Sequence, residues 1–156
     1  MRVLKIAAYQ FEISQDILTN YRKIENAIIE AKKQDVDLIV FPECCLTGYP
    51  PRDIPKASLV NFELVEETCR KIQEFSNQLQ ISVLIGTICK DNDQIYNRAV
   101  LFRPEMKTSH YDKRALWGWD KDNFTPGEGG GIIEYGDIKI GIRICFEVRF
   151  PEYFRE

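Results

Sequence analysis

Cys145, Glu43 and Lys113 are the residues of this chain whose types and settings suit them to acyl chemistry. The mostly apolar run Lys139–Ile144 ends on Cys145, and a Pro-led, helical segment is expected after it. Glu43 stands behind Pro42 at the end of the apolar run DLIVF (37–41), and Lys113 follows the strand-like run 108–111. Strand ends of this kind are where α/β sheets usually carry their chemistry. A thiol is mostly protonated at neutral pH and becomes a nucleophile when a base takes its proton. Glu43 can be that base if burial raises its pKa. A buried Lys113 cation, with the backbone N–H of Phe146, can stabilise the oxyanion of a tetrahedral intermediate.

Each residue alone also has a plainer reading. A free cysteine is commonly a small buried hydrophobe, a loop glutamate is commonly solvated, and a lysine between Asp112 and Arg114 can be one more surface ion pair. His110 is the single histidine. It precedes Lys113 by three residues on the same strand, so the two side chains point to opposite faces and a Cys-His pair is a poor fit.

The elements that must position these residues read as follows. Residues 3–9 form a first, mostly buried strand, and Ser14 caps a helix that starts near Ile17 and stops near Gln34. Its apolar stripe is Ile17, Leu18, Tyr21, Ile24, Ala27, Ile28 and Ala31. With the strand 37–41 this makes a βαβ unit with parallel strands. The loop 42–53 holds Gly48 and paired prolines and is rigid rather than a linker. A second amphipathic helix spans 61–80, and a buried strand spans 81–89, where Gly86 marks close backbone approach or a bulge. Asp91–Asp93 turns the chain into antiparallel strands 96–102 and 108–111, so the sheet is mixed. The loop 117–127 holds Trp117, Trp119 and Phe124, which either line a pocket or pin the loop to the core. After the flexible Glu128–Gly131 turn, a hairpin of 132–135 and 138–144 around Gly136-Asp137 delivers Cys145.

With 156 residues and a formal net charge of −3, the chain fits one domain, 1–156, and has no electrostatic footprint for nucleic acid or an anionic membrane. Its longest apolar runs are too short to span a bilayer. Five cysteines without CxxC spacing and one histidine give no metal site, and a reducing cytoplasm is the expected location.

An ordered set of motifs now carries a resemblance. FPE (41–43) with LTGY (46–49), YNRAVLF (96–102), YDKRAL (111–116), FTPG (124–127) and GIRICFEVRFPE (141–152) together resemble the N-terminal part of the nitrilase, or carbon–nitrogen hydrolase, superfamily. The resemblance implies an α/β fold, an α-β-β-α sandwich with a mixed sheet. It also implies a Glu-Lys-Cys triad that hydrolyses non-peptide C–N bonds through a thioester acyl-enzyme, without a cofactor. By carry-over, Glu43 is the general base, Lys113 the oxyanion stabiliser and Cys145 the nucleophile. Asp120 stands where many members have a second glutamate, and its shorter side chain implies altered reach. Family domains continue well beyond the nucleophile, so the C-terminal portion is expected to be missing and the sandwich incomplete.

The expected substrate is a small linear amide or carbamoyl compound, with nitriles ranked lower and no macromolecular partner beyond a homodimer or higher homo-oligomer. Leu46–Asp53 also resembles the glutaminase domain of NAD synthetases, an ammonia-supplying alternative. A catalytically silent fragment acting as an interaction module is the alternative from another class.

Overall fold

The computed structural model describes residues 3–155. The elements are β1 (Ile6–Ala8), α1 (Ile17–Lys33), β2 (Leu38–Val40), α2 (Phe62–Leu79), β3 (Ser82–Asp91), β4 (Gln94–Phe102), β5 (Ser109–Asp112), α3 (Asp120–Asn123), β6 (Ile132–Tyr135) and β7 (Ile138–Gly141). Two short 3₁₀ turns, Cys145–Arg149 and Pro151–Phe154, close the described chain. β1 to β5 form one sheet in sequence order, parallel from β1 to β3 and antiparallel from β3 to β5, and β6 and β7 pair as a separate hairpin. This is the α/β fold with a mixed sheet that the motifs imply.

Strand alternation sorts the core into two layers. Val83 and Ile85 of β3 and Val100 and Phe102 of β4 pack with Ile24, Ile28, Val65 and Ile72 of α1 and α2. Leu84, Ala99, Leu101 and Tyr111 face the other way and pack with Ile133, Ile142 and Ile144 beneath the β6–β7 hairpin. The described residues thus supply a helix layer, a five-stranded sheet and a separate two-stranded sheet.

Several local expectations change. The first strand is short and largely solvent-facing rather than buried, with Ile6 55% exposed, because β1 lies at the sheet edge. Asp16, not Ser14, caps α1 by accepting from the Thr19 N–H at 2.9 Å; the Ser14 hydroxyl instead accepts from the Asp16 N–H. Leu18 is exposed, and Asn20 takes its place in the buried stripe. The Asn20 amide donates to the carbonyls of Ser14 and Leu46 at 2.7 and 3.0 Å, so a polar residue there fastens the loop after Glu43 to the helix. β7 ends at Gly141, three residues before the expected end, and residues 142–144 run on without sheet pairing. No helix among the described residues is long and apolar enough to cross a membrane.

Gly86 marks close backbone approach, as its place in a buried strand implies. A Cβ there would lie 2.5 Å from the Pro42 carbonyl oxygen, 2.5 Å from the Cys44 nitrogen and 2.7 Å from the Glu43 Cα. The intruding atoms belong to backbone and have no rotamer to move. Gly86→Ala is therefore expected to lower unfolding free energy by about 1–3 kcal/mol, read from denaturant unfolding. An unchanged midpoint would show that the 42–46 loop is free to shift.

Candidate active site

The loop after β2 is sewn to β3 so that Glu43 has one place to go. Phe41 N–H donates to Leu84 O at 2.9 Å, Leu46 N–H to Gly86 O at 3.1 Å, and Gly48 N–H to Cys44 O at 2.8 Å. Cys44 adopts a left-handed φ of 50°, which turns the chain sharply just after Glu43. The Oε1 atom of Glu43 accepts from Asn97 Nδ2 and from Lys113 Nζ, both at 2.7 Å.

Lys113 leaves β5 at its end. Its N–H donates to Asn97 O, and its carbonyl accepts from Gly127 N–H, each at 2.9 Å. The Lys113 side chain is 2% exposed, with Nζ 2.7 Å from Glu43 and 2.8 Å from Asp120. Burial opposes the cation, yet the Glu43 charge and the bonds from Asp120 and Glu43 outweigh it and hold the lysine pKa above its usual value. Asp120 is itself buried, and its shorter side chain does reach the ammonium. Tyr49 OH donates to its Oδ1 at 2.7 Å and Trp117 N–H to its Oδ2 at 3.2 Å.

Cys145 begins the 3₁₀ turn with a φ of 47°, a left-handed conformation that costs energy for a side chain with a Cβ. It is the exposed cysteine; Cys44 and Cys45 are buried, and Cys69 and Cys89 are half-buried. Cys145, Glu43, Tyr49 and Arg52 line one open cleft of about 840 Å³. A smaller cavity of about 120 Å³ between the layers is also bounded by Glu43, Asn97 and Cys145. Partial burial and the Glu43 charge raise the Cys145 pKa, while the Lys113 cation pulls it down. Burial pushes Cys45 up to about 12 and raises Cys44 well above the ordinary thiol value. The Cys145 thiol thus has a raised pKa and shares its cleft with the Glu43 carboxylate.

The structure thus brings Glu43, Lys113, Asp120 and Cys145 together and leaves His110 outside, half-exposed beside Asp112. Phe146 follows Cys145, its ring stacked on Trp117 with centroids 5.1 Å apart. Trp117 and Trp119 remain exposed, so the 117–127 loop is pinned by Phe124 alone of its large aromatics. Sequence reading did not single out Asn97, Tyr49 or Glu147 as site residues. A polar Asn inside the buried run of β4 was the available signal for the first. Glu147 is fully buried, and its carboxylate accepts from Tyr111 OH, the Arg114 and Ala115 N–H groups and the Ile144 N–H. Among the described residues no cluster of His, Cys, Asp and Glu could hold a metal ion.

Residues 5–156 match the carbon–nitrogen hydrolase family. A nitrilase of Pyrococcus abyssi is 34% identical over 138 residues, which are 87% of this chain and 53% of that protein. A glutamine-dependent NAD(+) synthetase of Thermotoga maritima is 31% identical over 143 residues, covering 87% of this chain and 24% of the relative. The crystal structure of an amidase from Nesterenkonia sp. superposes with a TM-score of 0.86 at 25% identity, over 97% of this chain and 59% of that one. The chain spans about half the length of the Pyrococcus nitrilase and a quarter of the synthetase.

Two outcomes are expected from this geometry. Lys113→Met leaves the buried Asp120 without its cation and should cost about 3–5 kcal/mol of unfolding free energy at neutral pH. Because folding raises the Lys113 pKa, its contribution is intact below the unfolded value of 10.5 and is lost as pH rises through the folded one. The gap between wild type and variant should therefore narrow only at strongly alkaline pH. Alkylation of Cys145, followed by mass spectrometry, should still be accelerating with pH above the ordinary thiol range near 8.5. A plateau near neutrality would contradict the raised pKa.

Proposed function

The chain belongs to the carbon–nitrogen hydrolase family, and from that premise we propose that it carries an amidase-type site for a small linear amide or carbamoyl compound. The observation that carries this reading is the Lys113 ammonium held between Glu43 and Asp120, with Glu43 and Cys145 lining one cleft. Residues 1–156 form a single domain in this reading.

Glu43 takes the thiol proton as Cys145 Sγ attacks the carbonyl carbon, forming a C–S bond and an oxyanion. The ammonium of Lys113 and the N–H of Phe146 receive that oxyanion. Collapse breaks the C–N bond, and the proton on Glu43 goes to the departing ammonia or amine. Water then attacks the thioester with Glu43 again as base, and the acid leaves with the thiol restored. Asp120 does not touch the reacting atoms; it holds Lys113 in position and compensates its charge. The amidase and nitrilase names of the relatives support the bond class, and the deep burial of Lys113 supports its electrostatic role.

A glutaminase reading has its own support. The Leu46–Asp53 loop contributes Tyr49, Arg52 and Asp53 to the cleft, and a glutamine-dependent NAD(+) synthetase is among the relatives. The free cysteines suit a reducing cytoplasm. Exposed Ile6, Ile132, Ile138 and Val148 supply apolar surface for a homodimer or higher homo-oligomer.

Ammonia release from a panel of small amides and glutamine tests the reading. Wild type is expected to release ammonia, Cys145→Ala to release none, and Glu43→Gln to lose at least a hundredfold, on the order expected for an acid–base group. Activity that survives Cys145→Ala would sink the proposal. Glutamine as the preferred substrate would favour the glutaminase form.

A further inference from the structure

Glu147 is a charged residue with no exposure at all, two positions after Cys145, and the reaction steps above make no use of it. Its Oε2 accepts from the Ile144 N–H at 2.7 Å, while its own N–H donates to Ile144 O at 3.1 Å. Those two bonds close a box around Cys145 and Phe146, the pair that bends at the left-handed φ of 47°. A strained conformation persists only where its surroundings over-determine it. The other oxygen, Oε1, accepts from Tyr111 OH at 2.7 Å, Arg114 N–H at 2.7 Å and Ala115 N–H at 3.1 Å. Tyr111 lies two residues before Lys113, and Arg114 and Ala115 are the two that follow it. One residue therefore closes the backbone around Cys145, and its carboxylate ties that turn to the segment on both sides of Lys113.

We propose that Glu147 is a positioning residue that locks the Cys145 turn in register with Lys113. This inference rests on the amidase reading for its catalytic consequence but not for its geometric one. A buried carboxylate with four donors cannot be replaced in kind by an amide. In Glu147→Gln one oxygen still accepts, but the NH2 group meets an N–H or O–H donor where an acceptor is required. Either the bond to Ile144 or the set around Lys113 is lost, and the turn is free to relax away from a φ of 47°. The ammonium that lowers the Cys145 pKa then no longer stands at a fixed distance from the thiol. Loss of geometry of this kind acts on kcat rather than on KM, since the cleft walls at Tyr49, Arg52 and Asp53 belong to another loop.

The test compares wild type, Glu147→Gln, Glu147→Asp and Tyr111→Phe as purified full chains, each first checked for folding by circular dichroism. Two readouts are taken: the rate of iodoacetamide alkylation at Cys145 at neutral pH, located by mass spectrometry, and kcat and KM for amide hydrolysis. Glu147→Gln is expected to lower kcat on the order of a hundredfold, as a misplaced reacting group does, with KM changed by less than about threefold. Its alkylation should slow as well. Glu147→Asp, which keeps both acceptors, should recover part of each, and Tyr111→Phe, which removes a single donor, should fall between it and wild type. A folded Glu147→Gln that alkylates at the wild-type rate or faster overturns the proposal. If Glu147→Gln does not fold, Tyr111→Phe decides: wild-type alkylation in that variant overturns it too. If wild type hydrolyses none of the amides, the amidase reading fails, while the alkylation series still decides the role of Glu147.

Discussion

An ammonium with 2% of its side chain exposed has to be met by opposite charge, and much of this structure follows from meeting it. The two carboxylates that do so come from distant parts of the chain, Glu43 from the loop after β2 and Asp120 from the first residue of α3. Each carboxylate has further donors besides the lysine. Asn97 donates to Glu43, while Tyr49 and the Trp117 N–H donate to Asp120. The charge cluster is thereby fixed by β4, by the 42–53 loop and by the 117–127 loop at once. A shift in any of these would strand a buried charge, so the ion cluster and the packing around it specify one another.

The backbone shows the same economy at two turns. Cys44 and Cys145 both sit in left-handed conformations, the first directly after Glu43 and the second opening a 3₁₀ turn. Both turns are fastened to neighbouring elements, the first by Leu46 and Cys45 on the Gly86 carbonyl, the second by Glu147. Gly86 earns its place because the first of those loops presses on it closely enough to exclude even a methyl group.

How much of this was legible beforehand depends on where each signal lay. Glu43 and Cys145 were visible because each ends an apolar run, whereas Lys113 follows a polar strand and stood out only through the YDKRAL motif. The helices were visible through periodicity, and Asn61 caps α2 at the expected start. The exposure of β1 was not visible, because an apolar triplet reads alike at an edge and at a centre; only neighbours distinguish them. Asp16 and Ser14 are both good capping residues, and hydrogen bonding, not composition, chose between them. Asn20 and Glu147 were missed for a shared reason. Their worth lies in backbone groups supplied by other segments, and no local pattern encodes those partners.

The Glu43–Lys113 bond joins residues 70 apart in the chain, and the Tyr49–Asp120 bond joins residues 71 apart. Closing contacts of such long range costs loop entropy that local contacts do not. During synthesis Cys145 is also among the last of these residues to emerge. Until the ion cluster closes, Cys145 has neither the Glu43 carboxylate nor the Lys113 ammonium near it. The surroundings that raise the Cys145 pKa therefore exist only in the folded chain, and an unfolded copy exposes a cysteine that ionises more readily.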